Sequence, residues 1–172
     1  TAAISQRNEH IVRVYDDFGK VPGLGHYYVM EYLEGYPLDD LIISPEGLPS
    51  IEDTFHIMLQ LCEALSTAHE ANVIHRDLKP DNIFIIQRGN DPMFVKVMDF
   101  GIAKTKSQKI TESAEKGIGT PLYMSPEQFL WKAVDHRTDI YMMGLILYEL
   151  LTGETPFVTP EQYETITFIE LA

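Results

Sequence analysis

Apolar positions fall into short β-branched or aromatic runs early in the chain and into helical stripes later, and this change of period sets the expected architecture. Ile11-Val12-Arg13-Val14-Tyr15 and Tyr27-Tyr28-Val29-Met30 flank a stretch holding Gly19, Pro22, Gly23 and Gly25, which predicts an antiparallel hairpin. Pro37 to Ile43 predicts a short helix, followed by a Pro/Gly-marked loop through Pro49. Ser50 and Asp53 form a capping pair, since a hydroxyl and a carboxylate at that spacing satisfy orphan amides at a helix start. Ile51, Phe55, Met58, Cys62 and Leu65 then recur at three- and four-residue steps and predict one buried stripe. Val73-Ile74, Ile83 to Ile86 and Phe94 to Met98 predict short strands, and a Gly-, Ser- and Thr-rich segment runs from about Gly101 to Pro126. Thr138 to Leu151 is apolar nearly all round, which suits a helix buried inside a helical lobe, with Gly153 as its C-cap. Thr159-Pro160-Glu161-Gln162 opens a further helix. The expected class is α+β, a small hairpin followed by a mostly helical lobe.

A length of 172 residues suits one domain with its own core. Thirteen Lys and Arg against 26 Asp and Glu leave a net charge of −13. That balance argues against general nucleic-acid binding and against an anionic membrane surface, and it reads as a solvated acidic face. A single cysteine, Cys62, excludes an intramolecular disulfide framework and a cysteine-based zinc site. Its place in the apolar stripe predicts a core position. The longest apolar stretch, Ile140 to Leu151, is interrupted by Glu149 and is too short to span a bilayer. The chain begins with Thr1 and carries no signal segment, so a piece of a longer protein is expected.

The chemistry is concentrated in His75-Arg76-Asp77-Leu78-Lys79-Pro80-Asp81-Asn82, followed about 17 residues later by Asp99-Phe100-Gly101. Two acids, an amide and two cations thus sit on turns flanked by short apolar strands. Phosphoryl transfer uses these parts: a carboxylate for the acceptor hydroxyl, oxygen ligands for Mg²⁺, and a cation on the migrating phosphate.

This stretch resembles the catalytic loop and metal motif of the eukaryotic-type protein kinases, H-R-D-L-x-x-x-N and D-F-G, without a mismatch. The resemblance implies a truncated protein-kinase-like fold, with residues 1–33 as the end of the N-lobe and the hinge and 34–172 as part of the C-lobe. It implies Asp77 as the base for the substrate hydroxyl, Asn82 and Asp99 as holders of Mg²⁺ bridging the ATP phosphates, and Lys79 on the γ-phosphate. His75 and Phe100 are packing residues in that frame. Arg76 would pair with a phosphorylated residue of the activation segment, a contact suited to a guanidinium, with Lys104 as a second cation. Of Thr105, Ser107, Thr111 and Ser113, the resemblance points to Thr111 or Ser113 as that phosphorylated site.

Lys79, two residues after Asp77, resembles the serine/threonine branch. Thr120 would help position the acceptor. Gly119-Thr120-Pro121-Leu122-Tyr123-Met124-Ser125-Pro126-Glu127-Gln128 looks like the end of the activation segment, with Ser-Pro-Glu where the family usually has Ala-Pro-Glu, a form similar to bacterial members. Asp139 would accept hydrogen bonds from the backbone around His75 and Arg76. Tyr28 to Gly35 looks like the strand and hinge that hold adenine, with Met30 as gatekeeper, the backbones of Glu31 and Leu33 on the purine edge, and Phe84 as the floor. A plain core role competes for Met30 and Phe84, and Pro37 stands where many kinases place a polar ribose contact.

Gly23-Leu24-Gly25 imitates the start of a glycine-rich phosphate loop, but Tyr28 stands where the third glycine belongs, and a hairpin turn explains these glycines. The glycine-rich loop, the ATP-anchoring lysine and its partner glutamate have no counterpart in this sequence. A fragment of about two-thirds of a kinase domain is therefore expected, one that binds ATP poorly by itself and is inactive alone. The expected activity is that of a bacterial serine/threonine protein kinase, cytoplasmic or the cytoplasmic domain of a membrane-anchored protein. Its partners are then ATP, Mg²⁺ and a protein hydroxyl, with no nucleic acid and no membrane contact from this segment. A non-catalytic pseudokinase or interaction module is the alternative. A small-molecule phosphotransferase of similar fold is disfavoured by Arg76, Thr120 and the Ser-Pro-Glu segment.

Overall fold

The structure is a computed structural model that describes residues 2–23, 25–45, 47–100 and 121–157. After a short helix α1 (Ala2–Ser5), strands β1 (Val14–Val21) and β2 (Gly25–Met30) form an antiparallel pair with Val21 opposite Gly25 and Val14 opposite Met30. The turn between them takes Gly23 to a φ of 82° and Gly25 to 110°, values that glycine reaches without a Cβ clash. The hairpin is displaced from its expected position. Gly19 lies inside β1 opposite Tyr27, and Ile11 makes a parallel bridge to Val97 instead of joining β1. Val12 donates its amide to Val97 O at 2.9 Å and Val97 returns its own to His10 O at 2.7 Å, so residues 10–12 belong to the next sheet.

That sheet runs in the order β3 (Gly35–Pro37), β4 (Ile83–Arg88), β5 (Asp91–Val97), all antiparallel. Residues 31–34 connect it to the hairpin without regular structure. A Cβ on Gly35 would come to 2.1 Å from the carbonyl oxygen of Ile85, so only glycine lets the two backbones approach here. On β4, Ile83 and Ile85 are fully buried while Phe84, opposite Pro37 and Lys96, is half-buried on the other face. Helix α2 (Leu38–Ile42) follows Pro37 directly.

Helix α3 (Ile51–Glu70) starts at Ser50, whose side chain accepts from the Asp53 amide. Its buried face differs from the expected stripe. Thr54, Ile57, Met58, Leu61, Ala64, Leu65 and Ala68 turn inward, whereas Ile51, Phe55 and Cys62 are exposed. Met58 and Leu65 are common to both stripes. The rotation is explained by Gln60, which is buried because its amide donates to Met93 O and accepts from Val95 N on β5. Cys62 accordingly is a surface residue, with its thiol 3.8 Å from Met143 Sδ. Val73 and Ile74 are not a strand; the Val73 amide closes the helix end by donating to Ala68 O.

Helix α4 (Pro126–Phe129) is capped by Ser125, and helix α5 (Arg137–Thr152) ends on Gly153 at a φ of 74°. Helix α5 is not buried all round: Met142, Leu145, Ile146 and Leu150 face inward and Ile140, Tyr148 and Leu151 outward. The core joins α3 and α5 to β4 and β5, and includes Ile57, Leu61, Leu78, Val95, Phe100 and Ile146. Each such fully buried side chain stabilises the fold by about 1.5–3 kcal/mol. No helix among the described residues is long and apolar enough to cross a membrane. The helix expected from Thr159 lies outside the described residues.

Candidate active site

The loop from His75 to Asn82 ends in a 3-10 turn, Pro80–Asn82, that leads straight into β4. Asn82 is buried, and its side-chain amide donates to the Asp77 carbonyl at 2.7 Å and the Asp77 carboxylate at 3.3 Å. Asp77 itself is exposed. With both contacts made through Nδ2, the Asn82 amide oxygen is its remaining acceptor. The Asn82 carbonyl receives the Met98 amide at 3.0 Å, which ties this loop to the approach to Asp99. Lys79 is half-buried between Asp77 and Asn82.

His75 is fully buried, and its Nε2–H donates to Met98 O at 2.8 Å. Its Nδ1 accepts from the Asp77 amide at 3.3 Å, which fixes the neutral tautomer. Burial pushes its pKa down against the raising influence of the Met98 carbonyl and the nearby acids. Phe100 packs edge-on against the imidazole at 4.7 Å between centroids.

Asp139, fully buried at the start of α5, accepts from the His75 amide at 2.9 Å, the Arg76 amide at 2.9 Å and His69 Nε2 at 2.7 Å. These three donors offset the cost of burying the carboxylate. Arg76 has a φ of 69°, a left-handed conformation costing a non-glycine residue about 1–2 kcal/mol. Its side-chain Nε is buried without a hydrogen-bond partner among the described residues.

Asp99 also has a positive φ, 64°, and its Oδ1 accepts a hydrogen bond from the Tyr28 phenol at 2.7 Å. Desolvation, then this bond and the charge of Asp99, push the Tyr28 pKa up to about 12. Nothing in the local pattern of β2 singled Tyr28 out. The donor set offered by Asn82 and Asp99 consists of hard oxygen atoms, which suits Mg²⁺. Among the described residues no cluster of three or more His, Cys, Asp or Glu forms a self-sufficient metal site.

On the hairpin side, the Glu31 amide donates to Arg13 O at 2.9 Å. The Glu31 carboxylate accepts from the Arg13 amide at 2.8 Å and pairs with Lys96 Nζ at 2.6 Å. The side chain and amide of Glu31 are thereby engaged by Arg13, just before β1, and by β5. Met30 is 39% exposed, which removes the plain core alternative for it, and Leu33 is half-buried. Phe84 lies on the face of β4 opposite the Ile83 and Ile85 core face. Thr120, Lys104, Thr111 and Ser113 lie outside the described residues.

Downstream, Ser125 is buried, and its hydroxyl sits 2.6 Å from Thr138 Oγ1, which donates to Glu127 Oε1 at 2.6 Å. The Thr138 bond is the main cause holding the Glu127 carboxyl below its usual range. The Gln128 side chain accepts from the Ser125 amide at 3.1 Å and donates to Arg76 O at 2.7 Å. The sequence marked this segment by its motif, and the role of Gln128 had no signal beyond the Ser-x-x-Gln capping spacing.

Among known proteins, the protein kinase domain family matches residues 2–170. Serine/threonine-protein kinase Pkn1 of Myxococcus xanthus is 42% identical over 151 residues, covering 87% of this chain and 21% of the relative. Serine/threonine-protein kinase pkn3 of the same organism is 46% identical over 150 residues, covering 82% of this chain and 26% of the relative. Serine/threonine-protein kinase PknB of Mycobacterium leprae is 41% identical over 160 residues, covering 91% and 25% respectively. The chain thus spans about a quarter of the length of these curated relatives. With the family matched over nearly its whole length, and with a buried Asp139 holding the backbone of a His-Arg-Asp loop, the chain belongs to the protein kinase domain family.

Proposed function

We propose that this chain forms the greater part of the catalytic machinery of a bacterial serine/threonine protein kinase, which transfers the γ-phosphoryl of Mg-ATP to a protein hydroxyl. The observation that carries the reading is the Asn82 amide bonded to both the carbonyl and the carboxylate of Asp77. It ties the general base to a residue whose amide oxygen is suited to the cation. In this reading the acceptor hydroxyl oxygen attacks the γ-phosphorus as its bond to the β,γ-bridging oxygen breaks, and ADP departs. Asp77 orients the hydroxyl and takes its proton, and Lys79 offsets charge on the migrating phosphoryl. Mg²⁺, when bound by Asn82 and Asp99, supplies charge neutralisation on the phosphates.

Residues 1–33 serve as the hairpin and hinge and 34–172 as the larger lobe. Met30, Glu31, Leu33 and Phe84 surround the adenine, with the Glu31 carbonyl turned to the purine edge because its amide is already used. Arg76 reads a phosphorylated Thr111 or Ser113 together with Lys104, and its buried Nε, without a hydrogen-bond partner among the described residues, supports this. Thr120 assists in placing the acceptor. A cytoplasmic location follows from the need for ATP.

The test is radiolabelled phosphoryl transfer from ATP to protein by the full-length protein and its Asp77→Asn variant. Loss of a proton acceptor there lowers the rate by about a hundredfold or more. Full-length protein that binds Mg-ATP but transfers no phosphoryl group to protein overturns the reading in favour of a non-catalytic module.

A further inference from the structure

We propose that Gln128 is a positioning residue for Asp77, holding the peptide plane from which the aspartate projects. The inference rests on the kinase reading above. The peptide bond joining Arg76 to Asp77 is gripped at both edges: its carbonyl accepts from Gln128 Nε2 at 2.7 Å, and its N–H donates to His75 Nδ1 at 3.3 Å. The carbonyl grip is the shorter of the two. Arg76 stands in a left-handed conformation that persists only where its surroundings over-determine it, and its own amide is held by Asp139 Oδ1 at 2.9 Å. Of the bonds around the strained residue, the one to its carbonyl comes from outside the catalytic loop and α5.

The orientation of the Gln128 amide is dictated by its neighbours. The Ser125 amide can only donate and meets Oε1 at 3.1 Å, while the Arg76 carbonyl can only accept and meets Nε2. One side chain thus completes the capping box of α4 and fixes the register of the catalytic loop. Since α4 directly follows residues 121–125, the end of that segment and the direction of Asp77 are set by a common group.

This double use separates a positioning role from a merely structural one. Gln128→Glu keeps the acceptor for the Ser125 amide, and glutamate is a normal capping-box residue at this position, but it removes the donor to Arg76 O. Gln128→Met removes both. In the full-length protein, Gln128→Glu is expected to lower the melting temperature less than Gln128→Met does and to keep the KM for ATP within about twofold, while kcat falls about tenfold or more. Gln128→Met is expected to lose kcat equally and to melt earlier. Hydrogen exchange in the peptide spanning residues 75–79 is expected to be faster in both. A Gln128→Glu variant with wild-type kcat overturns the proposal, leaving Gln128 as a helix cap. If the wild type itself transfers no phosphoryl group, the kinase reading fails separately, and the exchange measurement then decides the tether: faster exchange supports it and unchanged exchange overturns it.

Discussion

The phenol of Tyr28, on the second strand of the hairpin, donates to Asp99 Oδ1 at 2.7 Å, across 71 positions of sequence. A hairpin residue therefore fixes the rotation of the carboxylate assigned to the cation. Tyr28→Phe deletes the donor and keeps the ring, at a cost to stability of about 1–3 kcal/mol for a hydrogen bond to a charged group. The concentration of Mg²⁺ giving half-maximal binding of a non-hydrolysable ATP analogue is expected to rise severalfold. A Mg²⁺ titration by calorimetry on full-length protein checks this, and superimposable curves would separate Tyr28 from cation handling.

Lys96 and Glu31 form an ion pair at 2.6 Å with side chains 11% and 25% exposed. Lys96→Met leaves the Glu31 carboxylate with the Arg13 amide alone. Removing one partner of a fully buried pair costs about 3–5 kcal/mol, and partial exposure reduces this to about 1–3 kcal/mol. Urea unfolding measures that loss. If residues 31–34 hold adenine as proposed, adenosine affinity is expected to weaken along with it, because Glu31 loses its ion pair, whereas Glu31→Gln retains an acceptor and stays closer to wild type.

Glu149 is buried near Asp39 and Asp81 and accepts from the Tyr123 hydroxyl. Desolvation, opposed by the Tyr123 bond and aided by the two aspartates, pushes its pKa up. A carboxyl with a raised folded-state pKa contributes stability below its unfolded pKa and loses it as pH rises through the folded value. Glu149→Gln is therefore expected to raise the melting temperature at pH 7 more than at pH 4. Equal differences at both pH values would exclude a role for Glu149 ionisation.

The phase of α3 is open to a paired substitution. Leu61 is fully buried and its chain neighbour Cys62 is exposed. Leu61→Ala is expected to cost about 2–5 kcal/mol and Cys62→Ser to stay within about 0.5 kcal/mol. Denaturant unfolding of both gives the answer directly, and a reversed order would restore the stripe expected from periodicity.

That stripe shows what local pattern can and cannot reach. Reading large apolar residues at helical spacing selected Ile51, Phe55 and Cys62, yet the helix turns Thr54 and Gln60 inward instead. Gln60 can be buried only because Met93 O and Val95 N wait on β5, more than 30 residues away, and periodicity carries no information about such partners. The capping pair at Ser50, the left-handed Gly153 and strands β4 and β5 depend on neighbours a few residues apart and were legible. The His75–Asn82 loop was legible as a candidate site because its polar groups are packed into eight consecutive residues. Tyr28 and Gln128 were not, since each acts through a single long-range hydrogen bond from an otherwise ordinary strand or helix position.

The two sheets share no strand, and the chain passes between them twice, at Arg13 and at residues 31–34. After the second passage Gly35 is wedged against the Ile85 carbonyl, with no room for even a methyl group. Before the first, residues 10–12 are stapled to Val97 at the end of β5. The hairpin is therefore moored at both of its ends to one sheet, like a gate hung between two posts of the same wall. A bulkier residue at 35 would pull one of these posts loose by forcing β3 away from β4, without touching a side chain of the His75–Asn82 loop.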